Sequence, residues 1–585
     1  MNIGFRVPAS NNLISVAYRK LRIKLAYIVS SERLSIIFKY RLRYLIVLPL
    51  LLVSVIWLCW NIRIYLRGGF YFDDAFMFYR YAVNFHDGFG LVWNRGDDPA
   101  YGTTSLLWSF VVIGLSWPPL KASSLLALLS CLSGIASVGM LIYGVRALAG
   151  SGPLRSWINA AAFVLVPLGL GPHFKYHWTT GMDTMLAFFL LSGFVFLLLN
   201  FWRAPSRRLS MLIGALGYLA FLTRPDTGLC VMMMPILVWW QLGESRKTEW
   251  VMWMVLLPAA LMALQLLLCW LYFGTALPLA FYMKSGGAYR GYLATADALR
   301  FLIDFLGLAL PYLLICVICA HRRHLGMLVA SLVPVASTFA YLLTVTQIMG
   351  KEARFYIPFL PLFVLPAASI FDGWLRDYRA KPGIGLARLA AVGMLTILVA
   401  TDGFGYDIGK LYSRALKARP VAQPALVTAA NVPLPQLDLW SVIYGLSDEL
   451  VRKLPAGSVI GASEVGFIGA TAPRITVVDL VGLNDSRIAL QGFKTDYFFS
   501  RNIDFLWLPH TDYTGLRATL LSDPRFLDRY IMVDGMLNFG IAVRKNSPYR
   551  QELESALSRI WAHLYPGYRM RDFLVLEIAS EMLPR

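Results

Sequence analysis

Eleven runs of apolar side chains dominate the sequence, at about residues 45–66, 122–145, 157–172, 184–202, 209–223, 228–242, 250–272, 300–319, 325–346, 355–372 and 387–402. A helix rises about 1.5 Å per residue, so about 20 apolar residues cross the roughly 30 Å of hydrocarbon in a bilayer. No water-soluble core absorbs that many long runs. Composition agrees, since 57% of the 585 residues are hydrophobic and 15% charged, where soluble chains carry about a quarter charged. The pattern predicts a polytopic α-helical membrane protein with about eleven transmembrane helices. The runs at 157–172 and 209–223 are short for a full crossing, and 104–117 reads as an interfacial or re-entrant segment.

Charge orients the spans. Residues 1–43 hold nine basic residues (Arg6, Arg19, Lys20, Arg22, Lys24, Arg33, Lys39, Arg41 and Arg43) and one acid, Glu32. That is the signature of a cytoplasmic flank facing anionic headgroups, so the net charge of +20 needs no nucleic-acid partner. The first apolar run is too long and too far in for a cleaved leader and is expected to stay as a span. The loops assigned to the cytoplasm carry 13 basic residues against four acids, and the opposite loops nine of each, as the positive-inside rule requires. An odd number of spans then places the C-terminus outside. Three regions follow: a basic cytoplasmic segment 1–43, a transmembrane region 44–402 with an external loop at 67–121, and an external α/β domain 403–585. In the last, SVIGAS, RITVVDL, DFLWLP and FGIAVRK read as strands, and LWSVIYGLSDELVRKL and PYRQELESALSRIWAHL as helices. All six cysteines lie in or beside apolar runs, which gives Cys316 and Cys319 no setting for redox or metal chemistry.

Polar groups that bear chemistry gather on the external side. The loop after the first run, from Asp73, reads as an amphipathic helix lying on the membrane. Ala75, Phe76, Tyr79, Ala82 and Val83 form its apolar face, and Asp73, Met77, Arg80, Asn84 and Asp87 share another. Successive residues differ by about 100° around a helix, so Asp73 and Asp74 do not point the same way unless the helix begins between them. One is the actor, and either alone also suits a helix N-cap. Further external segments bring Asp183 (HFKYHWTTGMDT), Arg224 and Asp226 (TRPDTG), Lys284 (FYMKSGG) and Arg354 (MGKEARFYIPFLP) to helix ends on the same side. Singly, these cations snorkel and these acids cap helices. Together, external cations and carboxylates suit transfer from a lipid-linked phosphosugar, where Arg or Lys neutralises the leaving phosphate and a carboxylate deprotonates the acceptor hydroxyl. His173 and His177 form an H-x-x-x-H pair without the glutamate of a zincin, so no metal site is expected.

The strings DDAFMFYRYAVNFHDGFGLVWN, TTGMDT, LTRPDTG, YFGTALPLAFYMKSG, RFYIPFLP and VVDLVGLND run in order over about 410 residues. They resemble the GT-C superfamily of polyprenyl-phosphate-sugar-dependent glycosyltransferases, in its arabinofuranosyltransferase-like branch. The resemblance implies inverting transfer, most simply of D-arabinofuranose, from a polyprenyl-phosphate donor to a glycan, lipid or protein acceptor on the periplasmic face of a bacterial inner membrane. It puts Asp73 or Asp74 in the place of the general base. Arg224, Lys284 and Arg354 take the donor phosphate, Asp183 and Asp226 the sugar hydroxyls, and Arg80, Asn84 and His177 the acceptor side. Met182 and Asp183 replace the Leu and Glu of the branch. Asp479, Asn484 and Asp485 either orient the acceptor or shape a turn. No cofactor is implied, because Arg and Lys offset the charge of a leaving phosphate. A mannosyl- or other hexosyltransferase uses the same chemistry. A lipid or solute transporter would instead place ionisable residues near mid-membrane, where these runs carry almost none.

Overall fold

A computed structural model describes residues 32–67, 72–116, 120–150, 152–171, 173–243, 247–286, 294–380, 454, 456–509, 513–534 and 541–555. Among these residues six helices are long and apolar enough to cross a membrane: Val47–Leu66, Ala122–Leu148, Thr184–Arg203, Thr248–Phe273, Ala298–Cys319 and Arg322–Leu342. A seventh candidate is broken, with Lys351–Phe359 and Pro361–Arg376 meeting at 53°. The chain is therefore a multi-pass membrane protein, and the described residues account for six or seven of the eleven expected spans. Trp157–Leu170, Arg207–Thr223 and Gly228–Gln241 have 14, 17 and 14 residues. At 1.5 Å per residue these are about 21–26 Å long, shorter than the hydrocarbon layer. The run at 387–402 lies outside the described residues. The bundle packs around Phe188, Phe194, Phe305, Tyr356 and Phe359, all fully buried.

Five short strands follow: β1 (Val459–Ala462), β2 (Thr476–Asp479), β3 (Phe505–Trp507), β4 (Tyr530–Asp534) and β5 (Ile541–Arg544). They form one sheet in the order β2-β1-β3-β5-β4. β1 runs parallel to β2 and β3, with Ile460 opposite both Val477 and Phe505, while β5 is antiparallel to β3 and β4. Four strands fall in the four segments read as strands, and β4 was not anticipated. The central parallel strands are apolar throughout because both faces are covered. Val478, Phe498, Ile503, Leu506 and Phe526 build their core. The helix expected at LWSVIYGLSDELVRKL, and most of that at PYRQELESALSRIWAHL, lie outside the described residues.

The helix after the first span is Asp73–His86, as its periodicity predicts. Its setting differs from the expectation. It does not float on the membrane with a wetted polar face. Ala75, Phe76, Phe78 and Ala82 pack against Trp108, Leu125 and Leu126, and the polar stripe Asp73, Met77, Arg80 and Asn84 is buried as well. That stripe meets the C-terminal unit, whose short helix Gly466–Thr471 lies across it. A Cβ at Gly466 would collide with the backbone carbonyl of Asp73, so only glycine permits this approach.

Candidate functional site

A small cleft opens where the helix Asp73–His86, the helix that carries Lys284, the residues just before the broken span and the C-terminal unit meet. Its walls include Asp73, Asp74, Lys284, Met349, Ser463 and Glu464.

The two adjacent aspartates part company at the helix start. Asp73 turns to the C-terminal unit, where the backbone N–H of Gly466 donates to its Oδ2 (2.7 Å) and that of Phe467 to its Oδ1 (2.8 Å). Both oxygens are engaged, and the residue is 2% exposed. Burial raises its pKa from 3.8 to about 6, the two amides pulling against that rise. Asp74, one position and about 100° on, faces the bundle instead. Its Oδ2 lies 3.6 Å from Nη1 of Arg354.

Arg354 directly follows the tight turn Lys351–Ala353, near the start of the broken span. Its Nη2 is 3.9 Å from Oδ1 of Asp183, so one guanidinium spans two carboxylates without closing onto either at hydrogen-bond length. The backbone just before it is strained: Glu352 and Ala353 have φ of 59° and 58°, a region that costs roughly 1–2 kcal/mol for a non-glycine residue. Nδ1 of His173, itself at φ 71°, meets Oε2 of Glu352 at 2.6 Å, and Nε2 of His177 meets the Glu352 carbonyl at 2.9 Å. The histidine pair thus holds the turn that presents Arg354. His177 does not reach the cleft, and no group of three or more His, Cys, Asp or Glu among the described residues suits a metal.

Three cations surround one aromatic ring. The Cζ atoms of Arg224 and Arg354 lie 5.0 and 5.6 Å from the centroid of Phe355, and Nζ of Lys284 lies 5.7 Å away. Phe355 follows Arg354 in RFYIPFLP, but no periodicity marks its ring as the hub of distant cations. Arg224 is largely spent on its neighbour, with Nε donating to Oδ1 of Asp226 (3.1 Å) and Nη2 to Oδ2 (2.6 Å). Burial lowers the pKa of Lys284, with Asp74 opposing. Asp183 is 2% exposed and precedes the helix Thr184–Arg203 without capping it.

Arg80 and Asn84 are not at the cleft. The guanidinium of Arg80 donates to the carbonyls of Trp93, Gly469 and Ile475 and to Oδ1 of Asn94. Asn84 donates to the carbonyls of Val92 and Trp93. Arg80 docks the C-terminal unit, because a buried guanidinium must find an acceptor for each of its donors, whereas Asn84 ties the helix to the loop that follows it. Asp479 accepts from the backbone of Val481, Gly482 and Asn484, and Asp485 caps the backbone N–H of Ile488, so this stretch shapes a turn. Glu464 escaped the sequence reading. Its only signal was its place just past the strand SVIGA, at the carboxyl end where α/β sheets gather function.

A family model described as a domain of unknown function (DUF8728) matches residues 440–554. No protein of curated function matches the sequence significantly. In shape the chain is similar to ArnT from Cupriavidus metallidurans bound to undecaprenyl phosphate, with 15% identity, 84% of this chain and 98% of that chain covered, and a TM-score of 0.48. It is similar to the Archaeoglobus fulgidus oligosaccharyltransferase tethered with an acceptor peptide, at 13% identity, 87% and 74% coverage and a TM-score of 0.42. A third similarity is to archaeal AglB from Archaeoglobus fulgidus in complex with an inhibitory peptide and a dolichol-phosphate, at 13% identity, 89% and 78% coverage and a TM-score of 0.41. All three TM-scores lie below 0.5, so the functional reading rests on the site's own geometry.

Proposed function

We propose that the chain is a GT-C-type membrane glycosyltransferase that moves a sugar from a polyprenyl-phosphate carrier to an acceptor hydroxyl, with inversion, at the periplasmic face of a bacterial inner membrane. The observation that carries this reading is Asp74 facing Arg354 beside the three-cation cluster on Phe355. Asp74 takes the proton of the acceptor hydroxyl as that oxygen bonds to the anomeric carbon. The bond from that carbon to the phosphate oxygen breaks, and its electron pair leaves on the carrier phosphate. Arg354 and Lys284 offset the growing charge there. Arg224, already paired with Asp226, contributes at longer range, and Asp183 and Asp226 accept hydrogen bonds from the sugar. Asp73 holds the C-terminal unit and is not the base. D-arabinofuranose follows from the sequence resemblance.

The test is incubation of purified protein with synthetic polyprenyl-phosphoarabinose and candidate acceptors, alongside Asp74→Asn. Wild type releases carrier phosphate and transfers sugar, and the variant does neither at a comparable rate. Equal rates for the two would refute the assignment of the base, and transfer only from a hexose donor would refute the sugar.

A further inference from the structure

Much of the cleft wall comes from the C-terminal unit. Ser463, Glu464 and Val465 follow β1, and Leu483 and Tyr513 lie beside them. Within the sheet, β1 has β2 on one side and β3 on the other, both parallel to it. The chain therefore leaves β1 in one direction and later returns on the other side. In an open α/β sheet that arrangement opens a crevice beyond the carboxyl ends of the strands, and ligands settle there. Glu464 stands in this crevice and lines the same cleft as Asp74 and Lys284.

Docking does not need Glu464. The contacts that join the unit to the helix Asp73–His86 and its loop run through Gly466, Phe467, Gly469, Ile475 and Val477, with Asn484 and Arg501 beside them. Resting on the transferase reading, we infer that Glu464 positions the acceptor: its carboxyl hydrogen-bonds a hydroxyl next to the one that Asp74 deprotonates. The acceptor is then a polyol whose adjacent hydroxyls span the two carboxyls. The division of labour follows from surroundings. Burial, then the carboxyls of Asp73, Asp74 and Asp479, raise Glu464 well above its ordinary 4.5. A carboxyl that keeps its proton both donates and accepts, which suits holding a hydroxyl rather than deprotonating one. Met77, Ile348 and Leu483 supply apolar wall for the C–H face of a sugar ring.

The test measures acceptor KM, donor KM and kcat for wild type, Glu464→Ala and Glu464→Gln, with synthetic polyprenyl-phosphoarabinose as donor and an arabinofuranosyl disaccharide as acceptor. Glu464→Ala raises acceptor KM at least tenfold while donor KM stays within threefold. Glu464→Gln, which keeps a donor and an acceptor atom, recovers most of that loss. An acceptor KM unmoved by the alanine variant overturns the inference, and so does an equal rise in both KM values, which marks a merely structural role. Should the alanine variant not fold, the glutamine variant decides: about a threefold rise in acceptor KM supports the assignment, and no rise overturns it. If wild type releases no carrier phosphate, the transferase reading falls. Direct binding of the disaccharide then tests Glu464 separately, and equal affinity for wild type and variant removes it.

Discussion

Asp73→Ala and Asp74→Asn, side by side, separate holding from chemistry. Removing the Asp73 carboxylate leaves the amides of Gly466 and Phe467 buried without acceptors, at about 1–3 kcal/mol each, so about 3 kcal/mol is a fair total. The pKa of Asp73 rises on folding from 3.8 to about 6, and each unit is worth about 1.4 kcal/mol. The folded chain therefore binds the extra proton between those values. The associated stability is fully present below pH 3.8 and is lost as pH rises through about 6, about 3 kcal/mol in all. The gap between wild type and Asp73→Ala is accordingly widest near pH 4, about 3 kcal/mol, and nearly closes by pH 8. Thermal unfolding in detergent at several pH values reads this directly. Asp73→Ala then loses transfer only in proportion to its folded fraction. Asp74→Asn keeps its unfolding midpoint and loses about 10²–10⁴ in kcat, the range for a general base. A midpoint unmoved by Asp73→Ala at every pH, together with abolished transfer, would refute the assignment and make Asp73 the base.

Other perturbations test neighbouring parts of the same construction. Gly466→Ala drives a methyl into the carbonyl of Asp73, so the variant loses about 2 kcal/mol or more of stability, and limited proteolysis cuts it between the bundle and the C-terminal unit faster than wild type. Phe355→Leu removes a ring shared by Arg224, Lys284 and Arg354; with cation–π contacts worth about 0.5–2 kcal/mol each, donor KM should rise about tenfold, and an unchanged donor titration would exclude the cluster as the phosphate site. Glu464 is raised on folding, so its contribution is present at acid pH and lost as pH climbs through its folded value. Glu464→Gln should therefore unfold at a higher temperature than wild type at pH 8 and lose that advantage at pH 4, and parallel curves would contradict this.

Several features were legible in the residues alone. Transfer of apolar groups from water adds up residue by residue, so long runs announced spans before any contact was known. The period of DDAFMFYRYAVNFH announced a helix, and four β-branched or apolar segments announced strands. Local rules also set their own limit. The run at 157–172 already looked short for a crossing, but Gly228–Gln241 did not, and at 14 residues it is too short to span; only folding shows where such a helix stops.

What the amino-acid order determined by itself is the solvent: a chain this apolar, with most of its acids and cations kept out of its apolar runs, belongs in a bilayer. Tertiary structure alone decided which polar group does what. Arg80 pairs with Ile475 across 395 positions, and Asp73 with Phe467 across 394, while Asp74, next along the chain, meets Arg354. A side chain's partner depends on the direction its Cβ takes and on which distant backbone arrives there. Neither is encoded within a window of a few turns, so the holding carboxylate and the one facing the cations looked alike until the fold turned them apart.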